Sequence, residues 1–399
     1  MNIVLVNQFF PPARAPTGRL LGDLAGELVR RGHSVTVLAS AADYGAATGP
    51  ADGAFSGVQV VRTGRAGLHR HGLGAKLGDY LSFFRGAWRE LSRRPRPDAL
   101  VCMTTPPFAG WIGAHLRKRQ GVPYVLWCMD LYPEALAAHG ILRRGNPVFR
   151  ALERIARTER SRASGVIALG PDMAVLLESS GAFPVDEIPV WSHWVATPER
   201  EAEARALRRS RGWADDETIL LYSGNMGRAH RAEEFAALSE RLEGRSPRCR
   251  LVFSGNGPLR AEWERRWGSR FEFLPPAPEE TCAAHLLAAD VHLVSQQPEW
   301  TGVVVPSKFP AACALGRPTV FAGPPRSAVG QWLSGSDAGW ILPPGDASAI
   351  EAAAGGILDA RLRAEKGHRA FSLFEQKFTR ERNCGRVADR VEQAAKDRT

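Results

Sequence analysis

Two kinds of apolar pattern alternate along the first half of the chain. Short apolar runs such as Asn2–Asn7 and Ser34–Leu38 predict buried strands, whereas Thr17–Arg31 repeats apolar residues at the period of a helix that ends at Gly32. The same alternation continues through Ala99–Cys102, Pro123–Trp127 and Gly165–Leu169. Because strands of a parallel sheet are buried on both faces, they read as continuous apolar runs. The first half is therefore predicted to be a parallel sheet covered by helices.

The pattern breaks around Trp191–Pro198, and a second series of strands follows. Its members are Ile219–Tyr222, Arg250–Phe253, Phe271–Leu274, Val291–Val294 and Pro318–Ala322. A chain of 399 residues is also long for one core. We predict an α/β fold with two doubly wound, Rossmann-like parallel-sheet domains, 1–195 and 196–372. The segment 373–399, within a helical stretch that begins near Phe371, is expected to pack back on the first domain.

The segment Gly302–Lys308 carries the most specific local signal. Val303–Val305 predicts a tight turn, and a proline is favoured as the first residue of a helix, so that a helix is expected near Pro306. Free N–H groups at its start, with Ser307 and Lys308, favour an anion such as a diphosphate. The predicted donor-binding residues here are Gly302, Val303, Val304, Pro306 and Ser307. The alternative is an ordinary helix start with a solvated lysine.

Three glycine-rich loops follow predicted strands. The first contains Gly18 and Arg19, the second contains Gly224, Asn225 and Arg228, and the third is Ser254–Pro258. Ligands of doubly wound sheets bind at the carboxyl ends of the strands, so two such domains are expected to face a central cleft. Each loop alone reads more readily as a structural turn than as a binding loop. Together they favour a nucleotide, with Arg228 as a phosphate clamp.

Charge is unevenly distributed between the two halves. The chain has 52 Lys or Arg against 42 Asp or Glu, and residues 1–195 hold 23 of the basic and 15 of the acidic residues. Seven arginines between Arg143 and Arg162 alternate with apolar residues at helical spacing. This pattern is typical of a helix on anionic lipid, and equally of an arginine-rich solvated surface. Nucleic acid is not expected, because no recognition motif accompanies the charge.

Cysteine usage and hydropathy indicate the compartment. The six cysteines contain no C-x-x-C pair, which predicts reduced thiols and no zinc site. No apolar run reaches the roughly 18 residues of a membrane span. The protein is predicted to be cytoplasmic, with association at the inner face of the membrane left open.

Several motifs together carry a resemblance to a known family. They are Asn7–Pro12, Arg31–His33, Trp127–Glu134, Gly140–Leu142, Leu221–Arg228, Phe273–Pro276, Ala288–Val291 and Val305–Pro318. In these the chain resembles the family 4 glycosyltransferases of the GT-B fold, especially the bacterial branch that builds colanic acid and O-antigen. The motifs extend over nearly the whole chain.

The resemblance implies an activity and a set of roles. It implies transfer of a sugar from a nucleotide diphosphate sugar, usually a UDP-sugar, with retention of configuration and without metal or other cofactor. Arg228 and Lys308 would stabilise the leaving diphosphate. Phe273 and Leu274 would hold the base, and Gly18 and Arg19 would close over the phosphates. The chain itself contains no D-x-D sequence to hold a metal at a diphosphate.

Asp130 and Glu134 are the candidates on the acceptor side. A carboxylate within hydrogen-bond reach of the reacting hydroxyl could take its proton. The acceptor would be a glycan, a lipid-linked sugar or a small molecule. Asp130 reads alternatively as a loop carboxylate satisfied by backbone, and Glu134 as a residue that favours a helix start.

Two departures from the family pattern keep other functions open. Relatives usually carry glutamates where this chain has Val303 and Ala311, and the second normally binds the ribose hydroxyls; many relatives also have a histidine at Met129. Alanine cannot accept those hydrogen bonds. A catalytically silent GT-B protein that binds a nucleotide sugar, or that partners another transferase, is therefore the alternative. A sugar epimerase of the same architecture ranks lower.

Overall fold

The computed structural model describes residues 1–13, 15–41, 55–64 and 73–397, with only the backbone at 73–77. Contacts divide the chain into unit 1, Met1–Pro189 with Glu381–Thr399, and unit 2, Val190–Arg380. The boundary predicted after residue 195 thus moves to residue 189. The reason is local, because Trp194 packs on the core of unit 2 and the N–H of Ser192 donates to the carbonyl of Phe378.

Unit 1 is a seven-stranded, all-parallel sheet. Its strands are β1 (Asn2–Val6), β2 (Ser34–Ser40), β3 (Val58–Thr63), β4 (Ala99–Met103), β5 (Tyr124–Trp127), β6 (Gly165–Ala168) and β7 (Val185–Glu187). Their order is β3-β2-β1-β4-β5-β6-β7. Its first six helices are α1 (Pro16–Arg30), α2 (Leu73–Arg93), α3 (Gly110–Gln120), α4 (Glu134–Ala138), α5 (Pro147–Arg162) and α6 (Pro171–Ser179). The order reverses at β1 and β4, as in a doubly wound fold.

Unit 2 repeats the arrangement with six parallel strands. They are β8 (Thr218–Ser223), β9 (Cys249–Ser254), β10 (Phe271–Leu274), β11 (Val291–Ser295), β12 (Thr319–Ala322) and β13 (Gly339–Leu342), in the order β10-β9-β8-β11-β12-β13. The helices are α7 (Pro198–Ser210), α8 (Glu233–Leu242), α9 (Arg260–Trp267), α10 (Cys282–Leu287), α11 (Lys308–Ala314), α12 (Ala328–Ser336), α13 (Ala347–Leu358) and α14 (Ala360–Lys377). The predicted fold class is confirmed.

The last helix, α15 (Arg380–Lys396), belongs to unit 1. Asp389 binds Arg31 at 2.6 Å, and Glu392 binds His33 at 2.8 Å. The helical stretch predicted from Phe371 is interrupted, since α14 ends at Lys377 and α15 begins at Arg380. Phe378 then packs in unit 2, where its ring centre lies 5.0 Å from that of Trp332. The segment that packs on unit 1 therefore starts at residue 381 rather than 373.

Candidate functional site

Lys308 is held over the loop that follows β8. Its Nζ lies 3.6 Å from the centre of the buried Tyr222 ring and 3.3 Å from the carbonyl oxygen of Asn225. The Tyr222 hydroxyl donates to the same carbonyl at 2.9 Å. A cation above an aromatic face is attracted by the ring quadrupole. The ammonium of α11 is thus fixed at the carboxyl end of β8, where a doubly wound sheet binds its ligands.

Gly224 makes room for this lysine. Its φ is +128°, and a Cβ at this position would lie 2.8 Å from Cε of Lys308. The Gly224 N–H donates to the carbonyl of Ser254, at the end of neighbouring β9. The glycine is therefore needed for the approach of Lys308 in addition to any approach of a ligand.

The rest of the loop is fixed to the end of β11. His230 donates from Nδ1 to the carbonyl of Ser295 at 2.7 Å, and the N–H of Arg231 donates to the Ser295 hydroxyl at 3.2 Å. Burial, with the nearby Lys308 ammonium, lowers the pKa of His230 to about 3, so this imidazole is neutral near pH 7. Burial also holds the pKa of Lys308 well below its usual range.

Arg228 lies between these two anchored parts of the loop. It follows Asn225, whose carbonyl oxygen accepts a hydrogen bond from Lys308, and precedes His230, whose pKa the Lys308 charge lowers. Its side chain is exposed, and among the described residues it has no hydrogen bond or ion pair. Arg228 thus lies on the loop that Lys308 contacts, and a joint role of the two residues at a diphosphate stays a prediction.

A cavity of about 210 Å³ opens beside Lys308 within unit 2. Ser307, Lys308 and Ala311 contribute the α11 side, and Trp194, Cys282 and His292 lie among the other wall residues. The wall contains no carboxylate. Ala311, the position where relatives carry the ribose-binding glutamate, thus faces the space next to the predicted diphosphate site.

Two amide groups of the row predicted before Lys308 are already hydrogen-bonded within the chain. The N–H groups of Val303 and Val304 both donate to the carbonyl of Trp300, at 3.0 and 3.4 Å. Gln296 fixes the same turn by donating from Nε2 to Trp300 and Val304. Gly302 takes a φ of +75°, and the buried Pro306 precedes a helix that begins at Lys308.

This helix, α11, has only seven residues, so a helix dipole contributes little. The side chains of Lys308, Arg228 and the exposed Ser307 remain to carry the predicted anion site, whose role stays a prediction.

Phe273 and Leu274 end β10. The Leu274 carbonyl already accepts the N–H of Gly255 at 3.2 Å and Nη1 of Arg260 at 2.7 Å. The Phe273 ring packs on Phe253, with 5.6 Å between ring centres. Their contact with a nucleotide base stays a prediction, and Leu274 is the less available of the two.

Gly18 and Arg19 lie in the first turn of α1 in unit 1. Both N–H groups donate to the carbonyl of Ala15, at 2.9 and 3.3 Å. A Cβ at Gly18 would lie 3.3 Å from the backbone nitrogen of Phe10. Gly18 thus lets α1 pack on the loop after β1, and its predicted role at the phosphates stays untested. Arg19 is exposed.

Asp130 stands at the carboxyl end of β5 with an exposed side chain. The hydroxyl of Thr104, which follows β4, accepts the N–H groups of Met129 at 2.8 Å and of Asp130 at 3.3 Å. The surrounding protein reduces solvation and raises the pKa of Asp130 to about 6. Its carboxylate accepts no hydrogen bond from the described residues. The geometry favours a functional carboxylate over a backbone cap.

Glu134 has a different environment. Its two carboxylate oxygens accept from Nη1 and Nη2 of Arg160, at 2.7 and 2.9 Å, and both side chains are buried. Arg160 also donates to the carbonyl of Tyr132 at 3.1 Å. This pair joins the start of α4 to α5. The geometry argues against the predicted catalytic role, because both oxygens of Glu134 are occupied and out of reach of solvent.

The residues that the structure describes contain neither a group of metal ligands nor a membrane-spanning helix. In those ranges, no three His, Cys, Asp or Glu side chains are grouped so that they could hold a metal ion. Likewise, none of the helices described is long and apolar enough to cross a bilayer.

Sequence comparison connects this geometry to known proteins. The profile described as "Glycosyl transferase 4-like domain" matches residues 17–194. WbjE of Pseudomonas aeruginosa, named as a glycosyltransferase, is 23% identical over 269 residues, which is 65% of this chain and 66% of that protein. WcaI of Escherichia coli K12, named as a colanic acid biosynthesis glycosyl transferase, is 25% identical over 246 residues, 60% of each chain. Both matches thus span less than two thirds of the relative.

Solved structures share the two-unit architecture over almost the entire chain. Sucrose-phosphate synthase from Thermosynechococcus elongatus superimposes with a TM-score of 0.76 at 17% identity, over 98% of both chains. HepE of Anabaena, solved with UDP, gives 0.67 at 16% identity, over 98% of this chain and 100% of that one. The fold is thus the GT-B fold of glycosyltransferases. The profile match over residues 17–194 and the matches to WbjE and WcaI support the predicted resemblance to family 4 glycosyltransferases.

Proposed function

We propose that this chain transfers a sugar from a nucleotide diphosphate sugar, a UDP-sugar in particular, to a hydroxyl group of a glycan or lipid-linked acceptor. The single observation that carries the proposal is Lys308, held over Tyr222 beside a cavity at the carboxyl end of β8. The names of WbjE and WcaI and the UDP complex of HepE support the same activity.

Unit 2 would bind the donor. Lys308 and Arg228 would neutralise the diphosphate as the bond between its oxygen and C1 of the sugar breaks and the electron pair moves to the phosphate. Such stabilisation needs no metal, and the family resemblance supports retention of configuration at C1. The cavity next to Lys308 would receive the part of the nucleotide adjoining the diphosphate.

Unit 1 would bind the acceptor. As the acceptor oxygen forms its bond to C1, the hydroxyl proton would pass to the carboxylate of Asp130. This carboxylate is exposed, accepts no hydrogen bond from the described residues, and has a pKa of about 6, which is close to the range that suits proton transfer at neutral pH. Glu134 would hold the Asp130 loop in place through Arg160 rather than take the proton.

Helix α5 supports binding to an anionic membrane. Val148 and Ile155 are exposed on it, while Phe149 and Ala156 face the core. Arg150, Arg154 and Arg157 lie on the same helix. An outward apolar pair flanked by guanidinium groups suits the boundary between anionic headgroups and acyl chains. A lipid-linked acceptor would be found at that surface.

Calorimetric titration with UDP tests the donor assignment. Lys308→Met and Arg228→Gln are each expected to weaken UDP binding about tenfold or more, because each removes a charge-assisted contact. Arg265→Gln is the control, since Arg265 is an exposed arginine on α9 of the same unit. Wild-type affinity in both variants would contradict the clamp.

A measurement of donor turnover distinguishes a glycosyltransferase from a catalytically silent protein that only binds a nucleotide sugar. NMR detection of sugar release or transfer from UDP-glucose, UDP-galactose and UDP-N-acetylglucosamine should show consumption by the wild-type protein. UDP binding without consumption of any donor, over a range of GDP- and TDP-sugars as well, would support the silent binding protein instead.

A further inference from the structure

An aromatic pair lies beside the exposed carboxylate of Asp130. Phe108 follows β4 and Tyr132 follows β5, and their ring centres are 6.3 Å apart with planes inclined at 60°. Both side chains are only partly buried. Burial, and then the nearby Asp130 charge, raise the pKa of the Tyr132 hydroxyl. Two ring faces and one carboxylate therefore share the carboxyl ends of adjacent strands.

Phe108 is held in an unfavourable backbone conformation. Its φ is +65°, in the left-handed region that disfavours residues with a Cβ. The carbonyl of Phe108 accepts the N–H of Trp111 at 3.1 Å, and the N–H of Ala109 donates to Pro106 at 3.2 Å, so the surrounding turn fixes this conformation. Glycine would adopt it without strain. Strained residues of this kind are concentrated at functional sites, which suggests that the ring is kept for a contact with a ligand.

We infer that Phe108 and Tyr132 form the acceptor subsite and that the acceptor presents a pyranose ring to them. A pyranose has an apolar C–H face, which suits the electron-rich faces of aromatic rings, and hydroxyl groups at its edge, which suit a carboxylate acceptor. The reacting hydroxyl faces Asp130. This inference rests on the proposed function, in which Asp130 takes the hydroxyl proton.

The charges around the subsite favour a sugar over an anionic acceptor group. Asp130 forms no ion pair within the described part of the chain, and a negatively charged group close to it would be repelled. The Thr104 hydroxyl accepts the Asp130 N–H, the Asp130 charge acts on the Tyr132 hydroxyl, and the Phe108 ring lies against the Tyr132 ring. An uncharged polyol with one apolar face is the ligand that this set can bind.

Saturation-transfer NMR on the full chain tests the inference. The sample contains UDP and a pool of methyl pyranosides, namely those of glucose, galactose, mannose, rhamnose and N-acetylglucosamine. We expect signals from the nucleotide and from the ring protons of at least one pyranoside. If the wild-type chain gives no UDP signals, the proposed function is overturned. UDP signals without any pyranoside signal would overturn the sugar subsite alone.

Two substitutions test whether the pyranoside binds at the aromatic pair. Phe108→Gly and Tyr132→Leu are each expected to weaken the pyranoside about three- to tenfold while UDP binding is unchanged. Phe183→Leu, which alters a highly exposed phenyl ring of the same unit, is the control and should change neither signal.

A thermal melt separates function from structure. Because Phe108→Gly relieves the backbone strain, its melting temperature should equal or exceed that of the wild type. A lower melting temperature with the pyranoside signal retained would show that the ring serves packing, and would overturn its assignment to the subsite.

Discussion

Gly224 and Lys308 are so closely packed that a methyl group on Gly224 would lie 2.8 Å from Cε of the lysine. The two residues are 84 positions apart in sequence, and the contact brings the loop after β8 against the start of α11. The Lys308 ammonium thus reaches its position because Gly224 has no side chain.

Gly224→Ala should therefore impair donor binding as well as stability. The new Cβ would displace Lys308 from Tyr222, and alanine at a φ of +128° is strained. We expect UDP affinity to fall about tenfold or more and the melting temperature to drop, both measurable by titration and by a thermal melt. Gly355→Ala is the control, because Gly355 lies in α13 with nothing within 4 Å, and this change should be neutral or stabilising. Unchanged UDP binding in Gly224→Ala would contradict the contact.

The ion pair between Glu134 and Arg160 should be structural. Removing one partner leaves a buried charge unpaired, so Glu134→Gln or Arg160→Met is expected to cost about 3–5 kcal/mol in the free energy of unfolding of unit 1. Arg30→Gln, at an exposed arginine that pairs with Glu27, should leave the free energy of unfolding almost unchanged. Denaturant titration measures both. The double variant Glu134→Leu with Arg160→Met should recover part of the loss, and full stability in the single variants would show that the pair is dispensable.

The pH dependence of activity should report Asp130. A carboxylate that accepts the proton must be ionised, so kcat/KM should fall about tenfold per pH unit below about 6, the pKa of Asp130. Asp130→Asn should lower kcat/KM over the whole range and remove this acidic limb. A wild-type profile that stays flat down to pH 5 would exclude Asp130 as the proton acceptor.

Stability should respond to the same group with a defined sign. Between its ordinary value of 3.8 and about 6, Asp130 binds more protons in the native than in the unfolded protein. Its contribution to stability is therefore present at low pH and is lost as the pH rises through 6. Asp130→Asn should remove that part of the pH dependence of the melting temperature.

Membrane binding through α5 can be measured by sedimentation with vesicles. The protein should bind vesicles of phosphatidylcholine with phosphatidylglycerol more tightly than phosphatidylcholine alone, and binding should weaken as salt increases. Replacing both Val148 and Ile155 with serine should lower the partition coefficient about tenfold. Val175→Ser, at an exposed valine of α6, should have no effect. Equal binding to neutral vesicles would contradict the role of the arginines.

The sequence predicted the interior of each sheet better than its edges. Strands such as β1 and β8 are nearly free of solvent contact, so their residues form the apolar runs that were recognised. The missed strands β3, β7 and β13 all lie at sheet edges. Edge strands pair on one side only, and β3 and β7 are largely half-exposed, with polar residues such as Gln59 and Asp186. Their composition resembles that of loops.

The candidate site was predicted in part. Lys308, Arg228 and Asp130 stand in motifs, so that local residue patterns and the family resemblance together indicate them, and their roles stay predictions. Arg160, the partner of Glu134, is 26 positions further along the chain. The Tyr222 ring that contacts Lys308 lies on strand β8, far from Lys308 in sequence. Such partners follow from packing, which the order of residues does not display. Phe108 was missed because a positive φ at a phenylalanine has no signal in the sequence.

The position of α15 has a consequence for synthesis of the protein. In unit 1, Arg31 and His33 bind Asp389 and Glu392, which lie 358 and 359 positions further along the chain. A ribosome completes residues 1–189 well before these partners emerge. Residues 1–189 therefore emerge before Asp389 and Glu392 exist, and Arg31 and His33 cannot form these ion pairs until α15 has been translated.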